Sequence, residues 1–429
     1  MDSWLQLAAN RHPDRVAVES RGVTLTYSAL LEAAAGTAAA LKSQGVRPGT
    51  RVALELEDPL EFVIALHACL LLGGPAVPVD LRLREAEREL RRRGAAVILR
   101  DRLPAGSPTA WAPAPLSDRQ TATVMHTSGT TAEAKPVELS YANWLANALG
   151  SAVALGLDPA ERWLCPMPMT HVGGLSIPVR SAVYATTAVV HRGFETDAVV
   201  GDLMEPSRRI TLVSLVPTML ARLLDAGLEA PPTLRWALLG GGPIPPALLA
   251  RARAARVPVA PTYGMTEACS QIATFGWPLP GVEIRVRDGE VLVRGPVVAA
   301  GAVADDGWLH TGDLGELDSR GRLEITGRRS ETIVSGGENV APAEVEAALL
   351  EHPSVVDAGV FGRPDPEWGE AVVAIVVLHD GATIDPAELR AFCAQRLAGF
   401  KVPKAVAVAA TLPRTASGKL LRHRLNGLV

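Results

Sequence analysis

The chain of 429 residues has very few lysines. Five (Lys42, Lys135, Lys401, Lys404 and Lys419) stand among 42 basic residues, and the remainder are arginine. The rarity is either chance in an arginine-biased chain or a sign that some of these sites need a compact ammonium on a flexible stem, which guanidinium does not mimic. Paired cysteines are lacking as well. Cys69, Cys165, Cys269 and Cys393 lie far apart, with no CxxC or CxxH spacing. That excludes a disulfide framework and a structural zinc, and leaves four reduced thiols. No apolar run spans a bilayer; the longest, "FVIALHACLLLGG" from Phe62, is short and interrupted. The start "MDSWLQLAANRHPDRVAV" has no basic stretch ahead of an apolar core, so no secretory leader is expected and cytoplasmic residence is. A net charge of -4 gives no global attraction to nucleic acid or anionic membrane.

What is present is a globular balance, 48% hydrophobic and 21% charged, with length for two or three domains. Helical and strand patterns alternate through the first 120 residues. "YSALLEAAAGTAAALKSQG" reads as a helix ending at Gly45, "RVALELE" as a strand, "EFVIALHACLLLG" as a buried helix and "AVPVD" as a strand. "REAERELRRRG" then reads as a solvated helix and "AAVILR" as a strand. This alternation predicts an α/β fold on a mostly parallel sheet. From about Gly281 the pattern becomes β-rich, with a hairpin at Asp288-Gly289 in "GVEIRVRDGEVLVRG". A second αβ pattern follows, so a domain boundary is expected near Gly327–Glu331.

Between the strand "TATVMHT" and the helix "SYANWLANALGSAVALG" lies a loop that packs no core. Thr127, Ser128, Gly129, Thr130 and Thr131 are followed by Lys135. Backbone N–H groups in such a loop form an anion nest, hydroxyls add donors and the lysine adds charge. That suits phosphate, but the GxxxxGK[ST] spacing of a Walker loop is missing. A plain polar loop is the alternative.

Three further stretches bear on the choice: "PTYGMTEACSQ" (261–271), "WLHTGDLGELDSRGRLEITGRRSETIVSGGENVAPAEVE" (308–346) and "LPRTASGKLLRHRL" (412–425). With the loop, and in this order, they resemble the signature motifs of the adenylate-forming superfamily of acyl- and aryl-CoA synthetases, adenylation domains and luciferases. The resemblance covers essentially the whole chain. It implies a large N-terminal domain of αβ layers plus a β-barrel (1–327), a hinge (328–331) and a small mobile α+β C-terminal domain (332–429). It implies two half-reactions: a carboxylate attacks the α-phosphate of ATP, releasing pyrophosphate, and a thiol, usually of coenzyme A, then displaces AMP.

Site residues follow from the same resemblance. Thr127–Lys135 would hold the β- and γ-phosphates. Glu267 would bind Mg²⁺, with the Thr266 hydroxyl near the phosphate. Gly240, Gly241 and Gly242 in "LLGGGP" would let adenine stack, with Tyr263 completing the pocket. Asp313 would accept from the ribose hydroxyls, and Arg328 would lie near ribose and phosphate. Lys419 would be the catalytic lysine of adenylation. His171 would lie near the acyl pocket and thiol tunnel, and Gly336 and Gly337 on the face used by coenzyme A. Ser330 stands at the hinge, where the superfamily often has Asp or Lys. The resemblance also suggests a homodimer.

The phosphate loop departs from the superfamily pattern. Where Gly-x-Pro-Lys-Gly is usual, this chain has Ala132-Glu133-Ala134-Lys135-Pro136. Ala132 resists positive φ, and Glu133 places a negative charge beside the phosphates. "HVGGLS", "LVSLVPTML", "LLGGGP", "TYGMTEACSQI" and "GRRSETIVSGGENVAPAEVE" together resemble the 2-succinylbenzoate–CoA ligase subfamily of menaquinone synthesis. Its substrate carries a second, aromatic carboxylate, for which Ser270 and Gln271 are the expected contacts. Other readings stay open: another aryl- or medium-chain acyl-CoA ligase, an adenylation enzyme loading a carrier protein, and a nucleotide-binding regulator.

Overall fold

A computed structural model describes residues 3–101, 116–127, 135–415 and 418–428. Its framework is two sheets. The larger has nine strands, in the order Trp277–Pro278, Ser270–Thr274, Val259–Met265, Trp236–Leu239, Leu212–Leu215, Arg162–Cys165, Thr187–Val190, Val16–Ser20 and Val23–Thr26. Its central pairings, from Val259–Met265 across to Val16–Ser20, are all parallel. The second sheet has five strands, ordered Val97–Leu99, Val52–Leu54, Ala76–Pro78, Thr121–His126 and Pro136–Ser140.

Local chemistry sets the helices. Helix Pro59–Leu72 starts at Asp58, whose carboxylate accepts from the Leu60 and Glu61 amides, has proline at its first position, and stops at Gly73 in the left-handed region. It is buried nearly throughout, as its largely apolar pattern predicts. Helix Tyr141–Leu155 starts with a reciprocal cap between Ser140 and Asn143.

One strand differs from the sequence reading. The loop does not run directly into the helix, because Pro136–Ser140 forms an edge strand antiparallel to Thr121–His126. Val137 and Leu139 point inward and Glu138 outward. Proline at the first residue of an edge strand costs no ladder bond, so it hid the strand without breaking it.

The β-rich segment is a four-stranded antiparallel sheet, Glu283–Arg287, Glu290–Arg294, Leu309–Leu317 and Leu323–Arg328. Its core, including Val291, Val293 and Leu309, merges with Ile272 and Leu279. Residues beyond 332 build another sheet, in which Gly369–Leu378 pairs with Val355–Asp365, Ile333–Ser335 and Ala405–Val408. That sheet packs helices Pro342–Leu350 and Pro386–Ala394 over its own core of Val345, Leu349, Val360, Val372 and Leu389. Among the described residues no helix is long and apolar enough to cross a membrane.

Candidate functional site

Parallel strands deliver their following loops to one edge, where open α/β sheets bind ligands. That edge gathers most of the expected residues. His171 follows the strand ending at Cys165, Gly240 to Gly242 follow Leu239, and Thr266 and Glu267 follow Met265. In the second sheet Thr127 follows the strand ending at His126, and its amide donates to the Lys135 carbonyl at 3.2 Å. The Lys135 side chain is exposed. Ser128, Gly129, Thr130 and Thr131 lie outside the described residues.

Two glycines at this edge are required by contact. A Cβ at Gly240 would lie 2.7 Å from Thr262 Cγ2, and one at Gly264 would lie 1.6 Å from the Ser270 carbonyl. The second contact folds the chain sharply after Glu267, through Cys269 (φ 53°) and Ser270 (φ 95°). This places Ser270 and Gln271 directly beside the strand that carries Tyr263.

Tyr263 donates to Asp313 Oδ2 at 2.8 Å, and Arg328 Nε lies 3.4 Å from Asp313 Oδ1. Burial raises the Asp313 carboxyl, against the pull of Arg328, the Tyr263 hydroxyl and Lys419. Burial lowers the Lys419 ammonium; Arg328 pushes the same way, and Glu331 and Asp313 oppose it. Lys419 therefore sits within electrostatic reach of both Asp313 and Arg328, although about a hundred residues separate them in sequence.

The lysine loop is held on both flanks. Arg414 pairs with Asp357 at 2.6 Å and donates to the Gly418 carbonyl at 2.8 Å. Arg422 bonds Glu346, Glu331 and the Val360 carbonyl. Glu331 closes the short 3-10 turn Arg329–Glu331, which contains Ser330. Gly336 (φ 61°) and Gly337 (φ 83°) form the two-residue turn between strands Ile333–Ser335 and Glu338–Val340.

His171 precedes helix Val172–Tyr184. Its Nε2 is buried without a hydrogen-bond partner among the described residues, as is the Thr170 hydroxyl. Burial lowers the His171 pKa, opposed by Asp80 and aided by Arg82 and Arg91, so the imidazole is neutral at pH 7. Among the described residues no three His, Cys, Asp or Glu side chains cluster to hold a metal. Glu267 is partly exposed, and among the described residues its carboxylate makes no hydrogen bond or ion pair. One free carboxylate, supplemented by phosphate oxygens and water, is the oxygen set magnesium takes.

Sequence reasoning missed Arg180. It lies on the helix that follows His171 and is 1% exposed. It donates through Nη2 to Asn147 Oδ1 and lies 5.3 Å from the centre of the Trp163 ring. Nε and Nη1 have no hydrogen-bond partner among the described residues. Asn147 in turn donates to the Gln271 carbonyl at 3.0 Å, and Gln271, itself 1% exposed, has an Oε1 without a partner among the described residues. A buried cation without a counter-ion costs several kcal/mol. The available signal was one charge inside the apolar run "LSIPVRSAV".

Comparison with known proteins accords with this geometry. The family model of AMP-binding enzymes matches residues 5–105 and 87–302, and that of the AMP-binding enzyme C-terminal domain matches 344–419. The 2-succinylbenzoate–CoA ligase of Bacillus licheniformis is 39% identical, over 99% of each chain. Among solved structures, o-succinylbenzoate coenzyme A synthetase from Bacillus subtilis with ATP and magnesium matches at a TM-score of 0.90, with 36% identity over 99% of each chain. The same enzyme with its acyl-adenylate intermediate matches at 0.89, with 37% identity over 99% of this chain and 98% of that one.

Proposed function

The chain belongs to the AMP-binding enzyme family, and on that premise we propose that it is an ATP-dependent acid–CoA ligase acting on 2-succinylbenzoate. The observation that carries the substrate is Arg180. A buried guanidinium with two unpartnered nitrogens calls for a carboxylate. An acid with a single carboxylate, consumed at the reacting end, would leave Arg180 without a counter-ion. The ring carboxylate of 2-succinylbenzoate supplies one while the succinyl carboxylate reacts. Gln271 and Ser270 stay in this proposal as contacts of the ring carboxylate, with Arg180, linked to Gln271 through Asn147, as its charge.

In adenylation the succinyl carboxylate attacks the α-phosphate and pyrophosphate leaves. Lys419 stabilises the negative charge gathered there, and the buried setting strengthens its effect. Asp313 accepts from the ribose hydroxyls, with Tyr263 and Arg328 holding the carboxylate in place. Gly240 to Gly242 give adenine a flat wall, and Thr127 to Lys135 take the outer phosphates. Glu267 would hold Mg²⁺, which neutralises phosphate charge when bound, and Thr266 orients the phosphate beside it. In the second step the coenzyme A thiol attacks the acyl carbon and AMP leaves. Neutral His171 borders the path of the thiol.

We place the domain boundary at 328–331, with Ser330 as hinge. The separate core beyond residue 332 supports this, as does the anchoring of the lysine loop to that core. Rotation there would exchange the Lys419 face for the Gly336–Gly337 face. The four buried free thiols fit a reducing cytoplasm. A homodimer rests on the family resemblance alone.

The test is ATP-dependent pyrophosphate release across a panel of acids, with and without coenzyme A. 2-Succinylbenzoate should exceed analogues lacking the ring carboxylate by roughly 10² in kcat/KM. Equal turnover of benzoate or a medium-chain fatty acid would remove the substrate assignment and leave a general acid–CoA ligase.

A further inference from the structure

Lys419 reaches the nucleotide edge on a loop that must come to rest at one depth. Gly418, next to it, has φ +82°. A Cβ there would lie 2.7 Å from Thr218 Oγ1 and 3.5 Å from Val216 Cγ2. Val216 ends the approach to helix Pro217–Asp225, and Thr218 is that helix's second residue. Both stand at the carboxyl edge, after strand Leu212–Leu215. The other methyl of Val216, Cγ1, lies 3.3 Å from where a Cβ at Gly241 would be. One valine therefore stands where a side chain at the glycine turn expected at adenine would meet one of its methyls and a side chain at Gly418 the other.

This contact differs in kind from those holding the loop to its own sheet. Arg414–Asp357 and Arg422–Glu346 are ion pairs within the C-terminal part of the chain. They carry the loop as a unit wherever that part moves. Val216 and Thr218 carry no charge, and they leave no room for a side chain at Gly418. Packed contacts are stiff, so extra volume at the seat displaces the loop rather than compressing it. A lysine displaced by about an ångström loses much of its effect on the reacting phosphate.

We propose that Val216 and Thr218 form the seat that sets the depth of Lys419, and that Thr218 is a positioning residue for adenylation with no part in thioester formation. The inference rests on the acid–CoA ligase reading and its two poses.

Two measurements separate the steps: pyrophosphate release from ATP plus 2-succinylbenzoate, and thioester formation from supplied acyl-adenylate plus coenzyme A. Thr218→Leu should lower kcat of the first at least about tenfold, with the KM for ATP unchanged, and leave the second within about twofold. Gly418→Ala carries both a φ penalty and the clash with Thr218. Its penalty on adenylation should shrink by at least about fivefold in a Thr218→Ala background, because the φ term is common to both backgrounds and cancels. Equal loss of both half-reactions in Thr218→Leu, no loss in either, or an unchanged Gly418→Ala penalty overturns the proposal. A wild-type protein that releases no pyrophosphate with 2-succinylbenzoate would instead count against the ligase reading, a distinct result.

Discussion

Tyr263 holds Asp313 through a hydroxyl–carboxylate bond of 2.8 Å, across fifty residues of sequence. Burial pushes the Tyr263 phenol well up, so it stays the neutral donor to the Asp313 carboxylate, whose own pKa burial raises. A hydrogen bond to a charged group contributes about 1.5–3 kcal/mol. Tyr263→Phe should therefore raise the KM for ATP by about tenfold with little change in kcat. Steady-state adenylation kinetics check this, and an unchanged KM would show that Asp313 needs no help from the phenol.

The lowered Lys419 pKa gives a pH signature. Adenylation kcat/KM reports the free enzyme, so its alkaline limb should fall below the ordinary lysine range. Lys419→Arg should be slower and should lose that limb, since a guanidinium stays charged. Lys419→Ala should lose adenylation by orders of magnitude yet still convert supplied acyl-adenylate. Stability moves the other way. The folded pKa lies below the unfolded one, so between the two values the unfolded chain binds more protons and stability rises with pH. A limb at the pKa of free lysine would show that the ammonium is solvated in the working enzyme.

The parts of this fold legible in the sequence are local ones. Asp288 and Gly289 both take positive φ, as the hairpin dipeptide predicts, and Asp58, Pro59 and Gly73 mark the ends of their helix. The motifs also led to the residues that gather at the carboxyl edge. Contacts across the chain were not legible. Nothing near Gly418 in sequence points to Thr218, two hundred positions earlier, and nothing near Arg180 says that its partners are Asn147 and a ring. Periodicity reports which face is buried, not what meets it.

His67 provides a stability test away from the site. It is buried in helix Pro59–Leu72 beside Tyr27, Leu30, Val63 and Pro178, and burial lowers its pKa to about 4. The folded value lies below the unfolded one, so the unfolded chain binds the extra proton between them. Stability contributed at neutral pH is lost as pH falls from about 6.5 through about 4, on the order of 3 kcal/mol. His67→Leu should flatten that part of the curve, read by urea unfolding at pH 7 and pH 4.5. Equal acid sensitivity in the variant would assign the loss to other groups.

Arg180 should separate stability from function. Its guanidinium is fully buried, with one bond to Asn147 and two nitrogens unpartnered among the described residues, so the free enzyme bears a desolvation cost, which the proposed substrate would relieve. Replacing such a charge by an apolar side chain of similar length is often stabilising, by about 1–4 kcal/mol. Arg180→Met should therefore raise the unfolding midpoint of the free protein. It should also lower kcat/KM for 2-succinylbenzoate by about 10², because the ring carboxylate would then meet no cation. An analogue lacking that carboxylate should lose little, and the preference between the two acids should shrink or invert. Ligand stabilisation is a third reading. Saturating 2-succinylbenzoate should raise the wild-type midpoint by more than it raises that of Arg180→Met, since only the wild type gains a counter-ion on binding. A variant that is less stable and keeps its preference would make Arg180 a structural cation, held by Asn147 and Trp163, and the ring carboxylate would need another partner.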